Sequence, residues 1–385
     1  MNPVDAASQK PDHADASGAQ ARKRLLSAVI CTYNRPRLAA LATESLCRQT
    51  FPADAYEIIV VDNAGVDETR CLVAVLQERY PDRAVRYIHE AQAGVSRARN
   101  RGFQEAASEY VAYLDDDAIA PADWLETAQS VIRSVAPPVF GGPIVAYFDR
   151  PRPNWFLARY GSTWKSRVPA WLPAGHYLNG SNMVWRRSVL QELGGFDFTI
   201  GTVGAKRGYS DETELQIRLL RQKPQAALYY EPRLYVHHIV QPEKWRLGWQ
   251  VSDRFARGRS DYYAQPVERI RRRGLAGTTA AVLWRTADLL GDLLAAALLR
   301  DRVRYPAWQN HLYEHALDNF TGYGVYYEHL RCLLSRACAR SSRARHPWWR
   351  LSSERVTRAS SGSADRTQPP TNSKQRSSNQ MAAPS

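Results

Sequence analysis

Between Leu25 and about Val135, short β-rich runs alternate with helix-compatible stretches, and this alternation constrains the fold more than any other feature of the chain. Leu26 to Cys31, Tyr56 to Val61, Val85 to Ile88 and Val111 to Leu114 read as strands: each is a short apolar run rich in branched or aromatic residues. Helices are predicted from the Asn34-Arg35-Pro36 turn through Cys47, over Thr69 to Tyr80, and over Gly94 to Ala107. A chain patterned this way is α/β, with a mostly parallel sheet flanked by helices on both faces. Ligands of such open sheets bind outside the carboxyl ends of the strands. The polar groups at those ends, Thr32-Tyr33-Asn34, Asp62-Asn63 and Asp115-Asp116-Asp117, should therefore meet in one crevice.

The triplet is the most chemically pointed of these groups. Three carboxylates at the rim of a buried strand repel one another unless a cation sits among them. Carboxylate oxygens are hard ligands suited to Mg²⁺ or Mn²⁺, and Mg²⁺ usually completes its shell with water and substrate phosphates. A solvated acidic turn is the bland alternative.

At 385 residues the chain can hold one large α/β domain with appendages. Its net charge of +14 is uneven, because Arg336 to Ser385 hold ten Lys/Arg against two acids. That Ser-rich tail and residues 1–23 read as disordered. Solvation is the default for such a tail, and no specific nucleic-acid partner is expected. Cys31, Cys47, Cys71, Cys332 and Cys338 show neither a CxxC pair nor zinc spacing, which suits a reducing cytoplasm. The N-terminus has no apolar signal core. In Ala280 to Leu299, Arg285, Asp288 and Asp292 fall on one helical face. An amphipathic helix packed on the core is expected there, with peripheral contact at the inner face of the plasma membrane as the alternative.

Past Pro137 the character shifts. Phe140 to Tyr147 reads as a strand, Ala227 to Tyr230 and Leu234 to Val236 as short strands, and Trp245 to about Leu334 as helical. Asp149 to Tyr177 is rich in Trp, Pro and Arg, without a clean period. The expected organisation is a first α/β half over 24–135, a second half over 136–262, a helical extension over 263–335 and a tail over 336–385.

Four segments, Ala28-Val29-Ile30-Cys31-Thr32-Tyr33-Asn34-Arg35, Val60-Val61-Asp62-Asn63, Gly94-Val95-Ser96-Arg97-Ala98-Arg99-Asn100 and Tyr113-Leu114-Asp115-Asp116-Asp117, occur in the order and spacing of the family 2 glycosyltransferases, which the chain resembles from about Leu25 to Asp261. The resemblance implies the GT-A fold, a nucleotide-sugar donor and inverting transfer. It makes Thr32, Tyr33, Asn34, Arg35, Asn63, Gly94 and Asn100 donor-side residues. Asp62 would accept the imide N–H of uracil or thymine, a helix cap being its structural alternative. Arg97 would reach the diphosphate, while Arg99 has surface charge as its alternative. Asp115 would contact the ribose and metal shell, Asp117 would ligate the metal directly, and Asp116 could do either.

On the acceptor side the resemblance points to Asn179-Gly180-Ser181-Asn182 and Gly194-Gly195-Phe196-Asp197. Where relatives have a Glu-Asp pair serving as general base, this chain has Asp211-Glu212; Glu212 ranks above Asp211, though either satisfies the chemistry. In Val236-His237-His238-Ile239-Val240 one histidine can face the crevice, and register with relatives favours His238 near the metal. Gln241-Pro242-Glu243-Lys244-Trp245 imitates a signature of processive polysaccharide synthases with Lys in place of Arg, and reads as coincidence. Trp155, Trp164 and Trp171 either stack on acceptor sugars or belong to the core.

The expected activity is metal-dependent transfer from a UDP- or dTDP-sugar to a hydroxyl on a glycan, glycolipid or small metabolite, as in surface polysaccharide or cell-envelope synthesis. A non-catalytic sugar- or nucleotide-binding protein is the rival. A nucleotidyltransferase would want a Gly-rich phosphate loop with a Lys, which Thr32-Tyr33-Asn34-Arg35-Pro36 is not.

Overall fold

The computed structural model describes residues 24–65, 67–299 and 301–335. The two segments expected to be disordered, 1–23 and 336–385, lie outside the described residues, as does Cys338.

The strands are β1 (Leu26–Thr32), β2 (Tyr56–Asn63), β3 (Val85–Glu90), β4 (Tyr110–Asp115), β5 (Ala118–Ile119), β6 (Val139–Gly141), β7 (Ile144–Tyr147), β8 (Ala170–Trp171), β9 (Asn182–Arg186), β10 (Tyr229–Tyr230) and β11 (Val236–Ile239). The helices are α1 (Pro36–Cys47), α2 (Asp67–Arg79), α3 (Val95–Glu105), α4 (Trp124–Ser134), α5 (Arg187–Leu193), α6 (Asp211–Gln222), α7 (Leu247–Ala264), α8 (Glu268–Arg271), α9 (Leu275–Leu294), α10 (Trp308–His311) and α11 (Leu317–Leu334).

Eight strands form the central sheet in the order β3-β2-β1-β4-β9-β6-β10-β8. β3, β2, β1 and β4 run parallel, and β9 enters antiparallel between β4 and β6. The sheet is thus mostly parallel, as the alternation requires, and it continues across the boundary expected near residue 135. β1 shows why these strands read as unbroken apolar runs. Leu26, Ala28 and Ile30 pack with Leu46 and Trp124 on one face, while Val29 packs with Phe103 and Val61 on the other. Both faces are dry, and each fully buried aliphatic side chain contributes about 1.5–3 kcal/mol. α3 lies so close to β1 that a Cβ on Gly102 would fall 2.4 Å from Val29 Cγ1.

The single strand expected over Phe140 to Tyr147 is two. Gly142-Pro143 breaks it, because a Cβ at Gly142 would sit 1.8 Å from the Leu234 carbonyl oxygen and Pro143 has no N–H for a ladder. β6 stays in the central sheet, while β7 joins a second sheet, β5-β11-β7. Its register sets His238 opposite Ala118, just past the acid triplet. This small sheet therefore positions part of the crevice.

In the helical extension, α7 and α11 approach until their backbones touch. A Cβ on Gly258 would lie 1.8 Å from the Thr321 carbonyl oxygen, and one on Gly324 2.1 Å from that of Phe255. α9 overturns the expectation that its apolar side packs on the core. It turns Thr278, Arg285, Leu289 and Asp292 inward and leaves Leu283, Trp284, Leu290 and Leu294 exposed. Arg285 Nη1 donates to Asn319 Oδ1 of α11 at 3.3 Å, so a polar contact draws the charged stripe inward. Among the described residues no helix is long and apolar enough to cross a membrane.

Candidate active site

Thr32 and Asp62 are register partners on β1 and β2, and Cys31 and Asp115 on β1 and β4, so these strand ends form one rim. The three aspartates leave that rim in three directions. Thr32 Oγ1 donates to Asp116 Oδ2 at 2.8 Å, and Arg35 Nη1 reaches Asp116 Oδ1 at 3.2 Å and Asp117 Oδ2 at 3.4 Å. Asn34, with φ of 52°, takes the left-handed turn that brings Arg35 round. Asp117 also meets His238 Nε2 at 3.1 Å and Lys244 Nζ at 3.3 Å. Burial opposes its ionisation, yet His238, Lys244 and Arg35 hold it well below the usual carboxylate range. Burial and the charge of Asp117 push Asp116 up to about 7.

Asp115 turns the other way. Ser181 Oγ donates to its Oδ2, and Arg99 Nη2 lies 3.3 Å from its Oδ1. Arg99 then bridges to the second half of the crevice, with Nη1 2.5 Å from Asp211 Oδ2 and 4.0 Å from Glu212 Oε2. This corrects the surface-charge alternative, since Arg99 is buried among three carboxylates. Glu212 sits beside the Asp211–Arg99 pair with its carboxyl partly open to the crevice. Desolvation and the adjoining Asp211 carboxylate push it up to about 8. Gly180 makes room for the group: a Cβ there would lie 2.8 Å from Arg99 Nη2 and 3.3 Å from Glu212 Cδ. Ser210, which leads into α6, holds φ at 70° and donates to Asp261 Oδ1 at 2.6 Å. That positive φ in a serine is local strain spent on aiming Asp211 and Glu212. Cys31, beside Arg99, is pushed up to about 12 by burial and is chemically quiet.

Several expected contacts prove to be braces. Asn63 Nδ2 donates to the Gln92 carbonyl at 2.7 Å and its Oδ1 accepts Gly94 N–H at 2.7 Å, fixing the turn into α3. Asn100 exchanges two hydrogen bonds of 2.8 Å with the Phe196 backbone, clamping the Gly194-Gly195 loop. Asn182 does not line an acceptor pocket. It is fully buried, accepting from Trp124 Nε1 at 3.1 Å and donating to the carbonyls of Pro143 and Leu234. Asn179 Nδ2 donates to Thr163 Oγ1 at 2.8 Å. Asp62 is fully buried, accepts from Tyr87 Oη at 3.0 Å and lies beneath Gly65, where a Cβ would meet its Oδ1 at 1.8 Å.

Arg97 is half-buried, with its guanidinium 4.6 Å from the Phe198 ring centroid, and it makes no ion pair among the described residues. Tyr33 borders the 201–208 loop, its hydroxyl 3.4 Å from where a Gly204 Cβ would stand. Trp171 is exposed on the short edge strand β8, set edge-on to Tyr229; Trp164 is exposed under Arg167. Trp155 instead joins an aromatic cluster with Phe156 and Tyr313.

Lys244 escaped the sequence reading. The lysine of the Gln241–Trp245 segment reaches Asp117 across 127 positions of chain, and only the fold brings them together. Among the described residues no group of three or more His, Cys, Asp or Glu side chains is arranged to hold a metal ion. Asp117 with His238 is the pair that fits one. The Asp117 carboxylate is held ionised and the His238 imidazole is adjacent, a donor pair of the kind that could hold a divalent cation, although Lys244 and Arg35 share the carboxylate.

The sequence pattern of the family described as Glycosyl transferase family 2 matches residues 27–194. The succinoglycan biosynthesis protein ExoM of Rhizobium meliloti (strain 1021) is 28% identical over 235 residues, spanning 60% of this chain and 72% of that protein. A glucosyl-dolichyl phosphate glucuronosyltransferase of Haloferax volcanii is 25% identical over 252 residues, 61% of this chain and 75% of that protein. Among solved structures, mannosyltransferase PcManGT from Pyrobaculum calidifontis, in complex with GDP-Man and Mn²⁺, superposes with a TM-score of 0.51 at 19% identity, covering 80% of this chain and 86% of that one. At that identity the likeness speaks to the fold alone.

Proposed function

This chain is a glycosyltransferase of family 2 with the GT-A fold, and from that premise we propose that it transfers a sugar by single displacement with inversion. The observation that carries the proposal is Glu212, a carboxyl with a raised proton affinity, standing beside an Asp211–Arg99–Asp115 bridge to the acid triplet. Asp211 is held by Arg99, which leaves Glu212 to take the proton from the acceptor hydroxyl. The acceptor oxygen bonds to the anomeric carbon as the bond from that carbon to the phosphate oxygen breaks, and the electron pair leaves with the nucleoside diphosphate. Arg97, which has no acidic partner among the described residues, and Arg35 and Lys244 at the triplet supply positive charge for that leaving group. Asp117 and His238 would hold a Mg²⁺ or Mn²⁺ ion, which when bound stabilises the charge building on the diphosphate.

UDP or dTDP is the expected nucleotide if Asp62 reads the base, which requires the turn over its carboxylate to open. A growing glycan or lipid-linked sugar is the expected acceptor. Support comes from the succinoglycan relative and from the relative named for glucosyl-dolichyl phosphate. The test is nucleoside diphosphate release from UDP-, dTDP- and GDP-sugars with and without EDTA. Metal-dependent release is expected; none from any donor would favour a binding protein of the same fold. A thermal-shift panel of UDP, dTDP, GDP and CMP with Mn²⁺ tests the base separately, and a GDP lead would remove the role given to Asp62.

A further inference from the structure

α9 is amphipathic in the wrong sense for a helix packed on a protein. Its twenty residues, continued by five in π geometry over Ala295–Leu299, extend roughly 37 Å. Arg285, Asp288 and Asp292 are the charges of that stretch; Arg285 sits half-buried against Asn319 of α11, Asp292 half-buried near His311 and His315, and Asp288 exposed at the edge of the same stripe. Apart from Asp288, exposed at its edge, the outward side carries no charge. Leu283 is 64% exposed, Trp284 66%, Leu290 55%, Leu294 61% and Leu298 77%. Arg269, Arg271, Arg272 and Arg273 stand exposed just before the helix, and Arg302 and Arg304 just after it. The nearby acids are engaged elsewhere: Glu268 faces Arg221 at 3.9 Å, and Asp301 caps the backbone N–H groups of Val303 and Arg304.

We infer that this face docks on an anionic lipid surface, with α9 lying in the plane of the interface. Charge selects the occupant. A second copy paired through the same face would set one arginine cluster against another in either orientation, with like charges opposed. The chain's own 336–385 segment is no better suited, with ten Lys/Arg against two acids. A membrane interface offers hydrocarbon to the leucines and Trp284, and anionic headgroups to the arginines at both ends. The inference goes beyond the transfer reaction and stands on the helix whatever the donor proves to be.

The test is co-sedimentation of the full chain with vesicles of phosphatidylcholine alone and of phosphatidylcholine mixed with phosphatidylglycerol. Binding to the mixed vesicles is expected, weakened by salt, and reduced roughly tenfold or more in the double variant Leu290→Glu/Leu294→Glu. The variant's Tm without vesicles should match the parent's, because both side chains face solvent. Three results would overturn the inference. One is failure to bind the mixed vesicles. Another is a dimer that the double variant abolishes, and the third is a lowered Tm of that variant without lipid, since either means protein already covers the face.

Discussion

The crevice and α9 both turn charged groups inward, yet they do so to opposite ends. In the crevice the buried Arg99 lies among three carboxylates, while Arg35 and Lys244 meet Asp117, so these charges are compensated and what remains out of balance is the raised carboxyls of Asp116 and Glu212. In α9 the inward stripe is thin, with Arg285 meeting an amide, and what remains out of balance is an apolar exterior. Concentrated charge in a dry place makes a reactive group. The same inward turn on a helix surface leaves apolar side chains facing solvent.

Substitutions in the crevice should separate these two kinds of imbalance most sharply. Glu212→Gln should lower kcat by about 10²–10⁴-fold with donor binding retained, read by steady-state kinetics beside a thermal shift with nucleotide. Similar losses of affinity and turnover would mean that Glu212 positions substrate. Arg99→Ala leaves the buried Asp211 and the half-buried Asp115 and Glu212 without their cation, and chemical denaturation should show a loss of about 3–5 kcal/mol. Gly258→Ala, in the extension, drives a methyl into the Thr321 carbonyl and should cost about 1–3 kcal/mol by the same measurement.

A pH series sharpens the comparison further. Glu212 keeps its proton in the folded chain up to about 8, against an ordinary value of 4.5. As pH rises between those values the unfolded chain loses the proton first, so this group's contribution to stability is full below 4.5 and gone above about 8. Glu212→Gln should therefore flatten the decline of stability from pH 5 to 9, while the parent's kcat rises over the alkaline half of that window. The smallest effect belongs to α9: Leu283→Gln should change the unfolding free energy by no more than about 0.5 kcal/mol, as is typical of a surface change, read by chemical denaturation.

The parallel half of the sheet was legible because its strands are dry on both faces, and a buried run such as Tyr56 to Val61 says so in its own residues. The other half was harder to read. β6, β9 and β10 are short, and the Gly142-Pro143 break matters because of Leu234, far along the chain. The rim groups Thr32, Asp115 and Asp117 were legible as strand ends. Lys244 and the true setting of Arg99 were not, since each is defined by a partner more than a hundred positions away. The pattern of α9 revealed a charged stripe, but periodicity alone does not say which side meets the protein.

Arg97, Arg99 and Asn100 share little more than one turn of α3, where they meet the Phe198 ring, the acid pair and the Phe196 loop respectively. That turn works as a common axle for both banks of the crevice. One residue inserted ahead of it would swing all three through about 100° at once, whereas the same insertion in the irregular 149–177 stretch would leave their bearings untouched.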